Sequence, residues 1–275
     1  MGKKRSKNIL AICLLSIGAV VMLVPFIWMV LTAFKSVTEA TQVNPFVIFP
    51  SKWLLDGFES AIAKMDIPQL YWNTIWMIVG RVVCAVLTAT MAGYAFARLE
   101  FKGKKLLFTL VIFQMMIPTQ IFIIPQYLMI NALGAQNSIF ALIFPGLVTA
   151  FGTFLMRQNF INLPKELEES ARLDGCNVGQ TFLFIMLPLA KSGMVALGIF
   201  TALFAFKDLM WPLVVNTNQA TMPLASALAK LQGTFSSDYP ELMAASLLAC
   251  IPMIVIYLIF QKQFVEGIAT SGGKL

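Results

Sequence analysis

Six long apolar runs, joined by links that hold most of the charge, restrict this chain more than anything else in its sequence. They fall at about residues 9–34, 70–97, 106–130, 138–155, 189–215 and 242–260. Each is close to the ~20 residues that a helix needs to cross a bilayer. A chain of 275 residues that is 59% hydrophobic and 12% charged cannot hide that much apolar surface in a soluble core. The expectation is an all-α integral membrane protein: six transmembrane helices in one domain spanning residues 1–275.

The placement of the basic residues orients those spans. Lys3, Lys4, Arg5 and Lys7 precede the first run, and Arg98, Lys102, Lys104 and Lys105 follow the second. Arg157, Lys165 and Arg172 follow the fourth, and Lys262 follows the sixth. The other three links hold only Lys35, Lys52, Lys64 and Lys230. By the positive-inside rule both termini are cytoplasmic, and residues 35–69 and 216–240 are outside loops. The net charge of +7 is thereby a matter of topology rather than of nucleic-acid binding. The first run is longer than a signal-peptide core and has no small-residue cleavage site, so it reads as an uncleaved span.

Several spans are interrupted. The third contains Gln114, Pro118, Gln120 and Pro125, the fourth contains Pro145-Gly146, and the fifth contains Trp211-Pro212. A broken helix is tolerated in a membrane only where protein or a water-filled cavity satisfies the freed carbonyls, which puts these helices at the centre of the bundle. Arg81, Lys207 and Asp208 add charge at or near membrane depth, where it faces a partner or water. Arg81, Gln114, Pro118, Gln120, Lys207, Asp208 and Trp211 are therefore the candidate pathway or gate residues, with Lys207 and Asp208 reading equally well as anchors at the membrane interface. Lys191, just behind the loop that precedes the fifth span, is expected to snorkel inward.

The chemistry that this chain lacks is also informative. It has no histidine, which excludes a histidine-based triad, a HExxH zinc site and a histidine proton relay. Cys13, Cys84, Cys176 and Cys250 have neither metal-ligand nor disulfide spacing and read as packing residues. No glycine-rich phosphate loop is present, so ATP cannot be bound in that way. A membrane-embedded enzyme would need a convergent nucleophile, base or metal set, and a self-sufficient secondary transporter usually shows inverted repeats. The sequence offers neither, and no catalytic residue, metal ligand or bound cofactor is expected.

One polar island, residues 162–188, interrupts the apolar pattern with NLPKELEESARLDGCNVGQTFLFIMLP. Asn162 reads as a helix cap and Pro164 as a first-turn residue. Glu166, Glu168 and Glu169 favour the positive helix terminus, and Glu168 stands four residues before Arg172 in the favourable ion-pair order. Gly175 suits a left-handed stop, and Asn177 with Gln180 reads as an Asx variant of the capping box. The expectation is two short helices joined by a sharp bend, the second carrying Phe182, Ile185 and Leu187 up to Pro188.

The order Glu169-Ser170-Ala171, three residues, Gly175, nine residues, Ile185, one residue, Leu187-Pro188 resembles the EAA loop of the membrane subunits of bacterial ABC importers. Ser170 in place of the first alanine is the only departure. The likeness extends along nearly the whole chain, through YWNTIWMIVG, AGYAFARLEFKGKK, MMIPTQIFIIPQYLMINALGAQNS, LMWPLVV, MAASLLACIP and QKQFVEGIATSGGKL. It points to the carbohydrate-uptake branch, the shorter permease of maltose-type sugar importers. Phe206-Lys207-Asp208 depart from the tryptophan and asparagine that usually precede the acidic residue in that family.

The resemblance implies a non-catalytic permease in the bacterial plasma membrane. Its partners would be a second permease, two cytoplasmic ATPases that hold ATP and magnesium, and an external sugar-binding protein. The island would be the coupling helix, with Glu168, Glu169, Ser170, Ala171, Asp174, Gly175, Ile185, Leu187 and Pro188 as coupling residues. Ala171 would lie close against the ATPase groove, and Glu169 would meet a basic ATPase residue. An ABC permease for glycerol phosphate or another polar solute is the alternative.

Overall fold

Unbroken apolar stretches produce unbroken helices here, and prolines decide where the others stop. The computed structural model describes residues 2–232 and 238–272, with side-chain environments for residues 11–232 and 238–261. All regular structure among the described residues is helical. The expected outer loop at 216–240 is thus described except for 233–237, and the tail beyond Gly272 lies outside the described residues.

Three helices are long and apolar enough to cross a membrane: α1 (Gly2–Ala33), α4 (Ile67–Arg98) and α15 (Tyr239–Gly272), through Ala11–Ala33, Ile67–Arg98 and Tyr239–Gln261. Three bent pairs pass the same test of length and composition. They are Lys104–Met115 with Thr119–Ala132, Ile139–Gly146 with Ala150–Ile161, and Val178–Leu189 with Lys191–Lys207, bent by 104°, 47° and 72°. The span count is three, or up to six if each bent pair makes one span.

The chain divides into two compact units, Met1–Ile67 with Ala227–Met253, and Pro68–Ser226 with Ile254–Leu275. In the first unit, α1 leaves almost every described apolar side chain exposed, Cys13 included, as a lipid-facing helix does. Cys84, Cys176 and Cys250 are half-buried, so none of the four is the fully buried packing residue expected. Beyond α1, Ser36 caps α2 (Val37–Thr41) through a capping box with Glu39. Buried Lys35 donates to the Val47 carbonyl at 2.7 Å and lies 4.2 Å from the Trp28 ring centroid. Burial pushes the Lys35 ammonium below its ordinary value, and the nearby Glu39 carboxylate partly opposes that. Helix α3 (Asp56–Lys64) is the short amphipathic piece legible in the sequence. It seats Gly57 against the Pro240 backbone at the start of α15 and pairs Lys64 with Glu241 at 2.6 Å.

In the second unit α4 is followed by α5 (Lys104–Met115), α6 (Ile123–Ala132), α7 (Ile139–Ile143), α8 (Ala150–Ile161), α9 (Glu166–Leu173) and α10 (Val178–Gln180). A π-helical segment, Thr181–Met186, leads into α11 (Leu187–Leu189), α12 (Lys191–Lys207), α13 (Met210–Val215) and α14 (Leu224–Leu231), which ends in the first unit. The breaks have identifiable causes. Pro118 is extended and follows the end of α5. Pro125 breaks nothing: it sits in the first turn of α6, where a missing N–H costs little. Pro145 lies in a short 3-10 turn, after which Thr149 caps α8. In the fifth run the break comes at Asp208, with ψ near 114°, ahead of the expected Trp211-Pro212, which forms the first turn of α13.

Two apolar cores are strung along α4. One gathers Met77 and Ile78 with Ile130, Leu142, Ala205, Trp211 and Val215. The other gathers Ala89 and Tyr94 with Met156, Phe160, Met186, Ala190 and Leu197. Small residues permit the close approach of α4 and α8 at the second core: a Cβ on Gly93 would lie 2.6 Å from Met156 Cβ, and one on Gly152 would lie 2.9 Å from Ala89 Cβ.

Candidate functional site

Two regions of the second unit collect the sequence candidates. In the first, the freed ends of the broken helices surround a cavity of about 820 Å³. Arg81, Gln114, Gln120, Lys207, Asp208 and Trp211 all line it, together with Thr119, Gln126, Thr149 and Thr201. Pro118 is not on the wall, although its neighbours Ile117 and Thr119 are.

Arg81 organises the cavity wall. It is 6% exposed, and its guanidinium reaches Asp208 through Nη1 at 2.7 Å while Nε donates to the Leu142 carbonyl at 2.7 Å. It therefore pins the C-terminal end of α7 and the α12–α13 break to α4. Gly146 makes room for it, since a Cβ there would lie 2.6 Å from Arg81 Cγ. Trp211 is buried and secures the same corner by donating its indole Nε1 to the Ala141 carbonyl at 2.8 Å. Lys207 ends α12 exposed on the cavity, where a cation favours the negative helix terminus, and has no salt bridge among the described residues.

The second region is the polar island. Helix α9 begins at Glu166 with Lys165 as its N-cap and no side-chain cap; Asn162 instead ends α8. Gly175 has φ +85°, a left-handed conformation in which a Cβ would meet nothing within 4 Å. The stop is a Schellman arrangement, with Cys176 N–H bonded to the Ala171 carbonyl at 2.9 Å. Asn177 and Gln180 form the expected capping box. The π widening that follows has a local cause. Pro188 has no N–H to offer the Phe184 carbonyl and crowds it, and Leu187 N–H bonds back to Phe182 in π register.

The island's two faces differ in chemistry. Glu168 and Ala171 are buried inward. Glu168 pairs with Arg98 at 3.1 Å rather than with Arg172, which corrects the local ion pair read from the sequence. Arg98 Nη2 also donates to the carbonyls of Phe160 and Leu163, at 2.6 Å each. Buried Ala171 packs within its own chain, so it is not the small contact on an ATPase surface that the sequence suggested. Ile185 and Phe182 pack on the second core, Leu187 is half-buried, and Pro188 is exposed. The rings of Tyr94, Phe160 and Phe182 meet edge-on or tilted, with centroids 4.9–6.4 Å apart.

Glu169, Ser170, Asp174 and Gly175 lie on the outer face. Leu173 stands among them 90% exposed, with Val178 half exposed across the bend. Leu173, an apolar knob beside carboxylates and outside any candidate span, has the make-up of a protein contact. Leu173 was not singled out from the sequence, although its position between Arg172 and Asp174 on an amphipathic helix could have marked it.

The second unit thus joins bent candidate spans around a cavity to a capped helical bend. The chain belongs to the family of binding-protein-dependent transport system inner membrane components, which it matches over residues 85–269. It is 33% identical to the arabinooligosaccharides transport system permease protein of Halalkalibacterium halodurans over 281 residues, covering 99% of each chain. It is 26% identical to the lactose transport system permease protein of Rhizobium radiobacter, covering 98% of this chain and 97% of that one. Among solved structures it is similar in fold to a chain of a bacterial ABC transporter involved in the import of the acidic polysaccharide alginate. The TM-score is 0.79 at 24% identity, over 94% of this chain and 96% of that one.

Proposed function

We propose that this chain is one of two permease subunits of an ATP-driven importer for a sugar or oligosaccharide. The observation that carries this reading is the end-to-end match to relatives named for arabinooligosaccharides and lactose. The cavity behind Arg81 and Asp208 is half of the solute path, and a second permease supplies the rest. Its many amide and hydroxyl groups suit a polyhydroxylated solute. The island is the coupling element. Its outer face, with Glu169, Leu173 and Asp174, docks in a groove of a cytoplasmic ATPase, while Ala171, Ile185 and Leu187 hold the bend in shape from within. Gly175 allows the bend, and Pro188 separates it from α12.

Hydrolysis of ATP with magnesium occurs on two partner ATPases, and an external binding protein delivers the solute. Six spans with both termini cytoplasmic put the island on the ATPase side. The alternative cargo, glycerol phosphate or another polar solute, draws support from Lys207, a cation at the cavity with no salt bridge among the described residues. Purification from the native membrane with the associated binding protein tests both. The expected result is co-purification of a second permease and ATPases, with proteoliposome uptake that needs ATP and a sugar-loaded binding protein. Uptake driven by an ion gradient without any ATPase would overturn the proposal, and a phosphorylated ligand in the binding protein would favour the alternative.

A further inference from the structure

The buried pair Arg98–Glu168 has no place in the docking face or in the cavity, yet it lies between them. Both side chains are more than nine-tenths buried, and the pair joins the last residue of α4 to the inward face of α9. Arg98 also binds the two carbonyls that end α8 and open the link to α9. One guanidinium thus clamps three elements. A buried charge that loses its partner is costly, so the clamp tolerates no separation of α9 from α4.

Helix α4 runs 32 residues without a bend or an interior proline break. Arg81 stands 17 residues before Arg98 on this helix, roughly 25 Å along the axis at 1.5 Å per residue. There it grips Asp208 and the Leu142 carbonyl, at the breaks that shape the cavity. One arginine therefore fixes the C-terminal end of a stiff rod to the island, and another fixes its middle to the cavity wall.

We propose that Arg98 and Glu168 are positioning residues, forming the joint through which the island drives α4, and that α4 carries the displacement to the cavity through Arg81. This rests on the functional reading above, in which the island docks on an ATPase. Without the joint, α9 can move on its docked partner while α4 stays behind. The ATPases would then stay bound and hydrolyse ATP with little transport.

The test uses the full complex in proteoliposomes with its binding protein. A reporter cysteine, Thr201→Cys, is placed on the cavity wall with the four native cysteines replaced. The readouts are solute imported per ATP hydrolysed, and the nucleotide-dependent change in labelling of the reporter by a thiol reagent. Arg98→Gln and Glu168→Gln should each lower the import ratio by about tenfold, within the range usual for coupling between sites. Both should abolish the nucleotide response of the reporter while the ATPases still co-purify. Arg98→Lys keeps the charge but loses the planar fork that spans Glu168 and two carbonyls. It guards against misfolding of the harsher variants and should also uncouple.

Wild-type ratios in Arg98→Gln and Glu168→Gln, or in Arg98→Lys if those two fail to accumulate, would overturn the proposal. Loss of the ATPases from these variants would also overturn it, because the pair would then shape the docking face. Failure of the wild-type chain itself to bind or stimulate ATPases would count against the functional reading instead.

Discussion

Replacing Asp208 with leucine removes the partner of a buried guanidinium while keeping the size of the side chain. Arg81 would then retain only the Leu142 carbonyl as an acceptor, because its Nη2 already lacks one among the described residues. Breaking a buried pair in this way costs about 3–5 kcal/mol. The Asp208 side chain is 23% exposed to the cavity, so water can replace part of the lost interaction. The low end, about 3 kcal/mol, is the appropriate expectation. Removing both charges, with Arg81→Met and Asp208→Leu together, should recover most of that loss because no unpaired ion remains. The assay is the thermal denaturation midpoint of the detergent-solubilised complex, measured for both single variants and the double. A midpoint in Asp208→Leu equal to wild type would refute the reasoning. So would a double variant less stable than either single.

Three further outcomes are expected. Gly93→Val should cut the yield of folded chain, at a cost of about 1–3 kcal/mol for overpacking, because the added atoms meet Met156 Cβ and the Arg157 backbone; size-exclusion yield checks this against Gly179→Ala, which meets only the far end of Asn177. Cysteines engineered at residues 40–60 and 217–232 should label from outside intact cells and one at 102 should not; equal labelling at 102 would contradict the six-span topology. Hydrogen bonds from the Ser51 hydroxyl and the Ser36 N–H hold the Glu39 carboxyl below the usual carboxylate range. Its contribution is present above that range and is lost only as pH falls through the depressed value, so the fluorescence of Trp28 should hold steady through mildly acidic pH in wild type. It should change only at lower pH, through the depressed value, and Glu39→Gln should remove that change.

What the sequence made legible was local or compositional. Apolar length alone indicated α1, α4 and α15, and Gly175 with Asn177 and Gln180 announced the bend because caps act within a few residues. The cavity candidates converged because charge and broken backbone at membrane depth need a common place to be satisfied. Where the reading went astray, a distant partner decided. Glu168 pairs with a residue 70 positions earlier rather than with Arg172 one turn on, and that contact turns Ala171 inward along with it. Pro125 resembles Pro118 in sequence, yet one falls within the first turn of a helix and the other falls between helices. Asn162 was assigned to the start of one helix and belongs to the end of the previous one, since a capping residue does not reveal its direction when helices lie so close.

The central claim is that the island transmits the work of an ATPase to this chain. The most direct measurement is solute transport, alongside ATPase co-purification, for Glu169→Lys and Gly175→Val, with Lys165→Ala as the exposed control. A Cβ at 175 meets nothing within 4 Å, so the cost of valine is that of the left-handed backbone, about 1–2 kcal/mol, which misdirects α10. Lysine at 169 reverses the charge on the outer face, beside Leu173. Both variants should reach the membrane at wild-type levels and lose transport, with the ATPases released or no longer stimulated by loaded binding protein, while the control transports normally. Wild-type transport with retained ATPases in both would contradict the coupling role of the island.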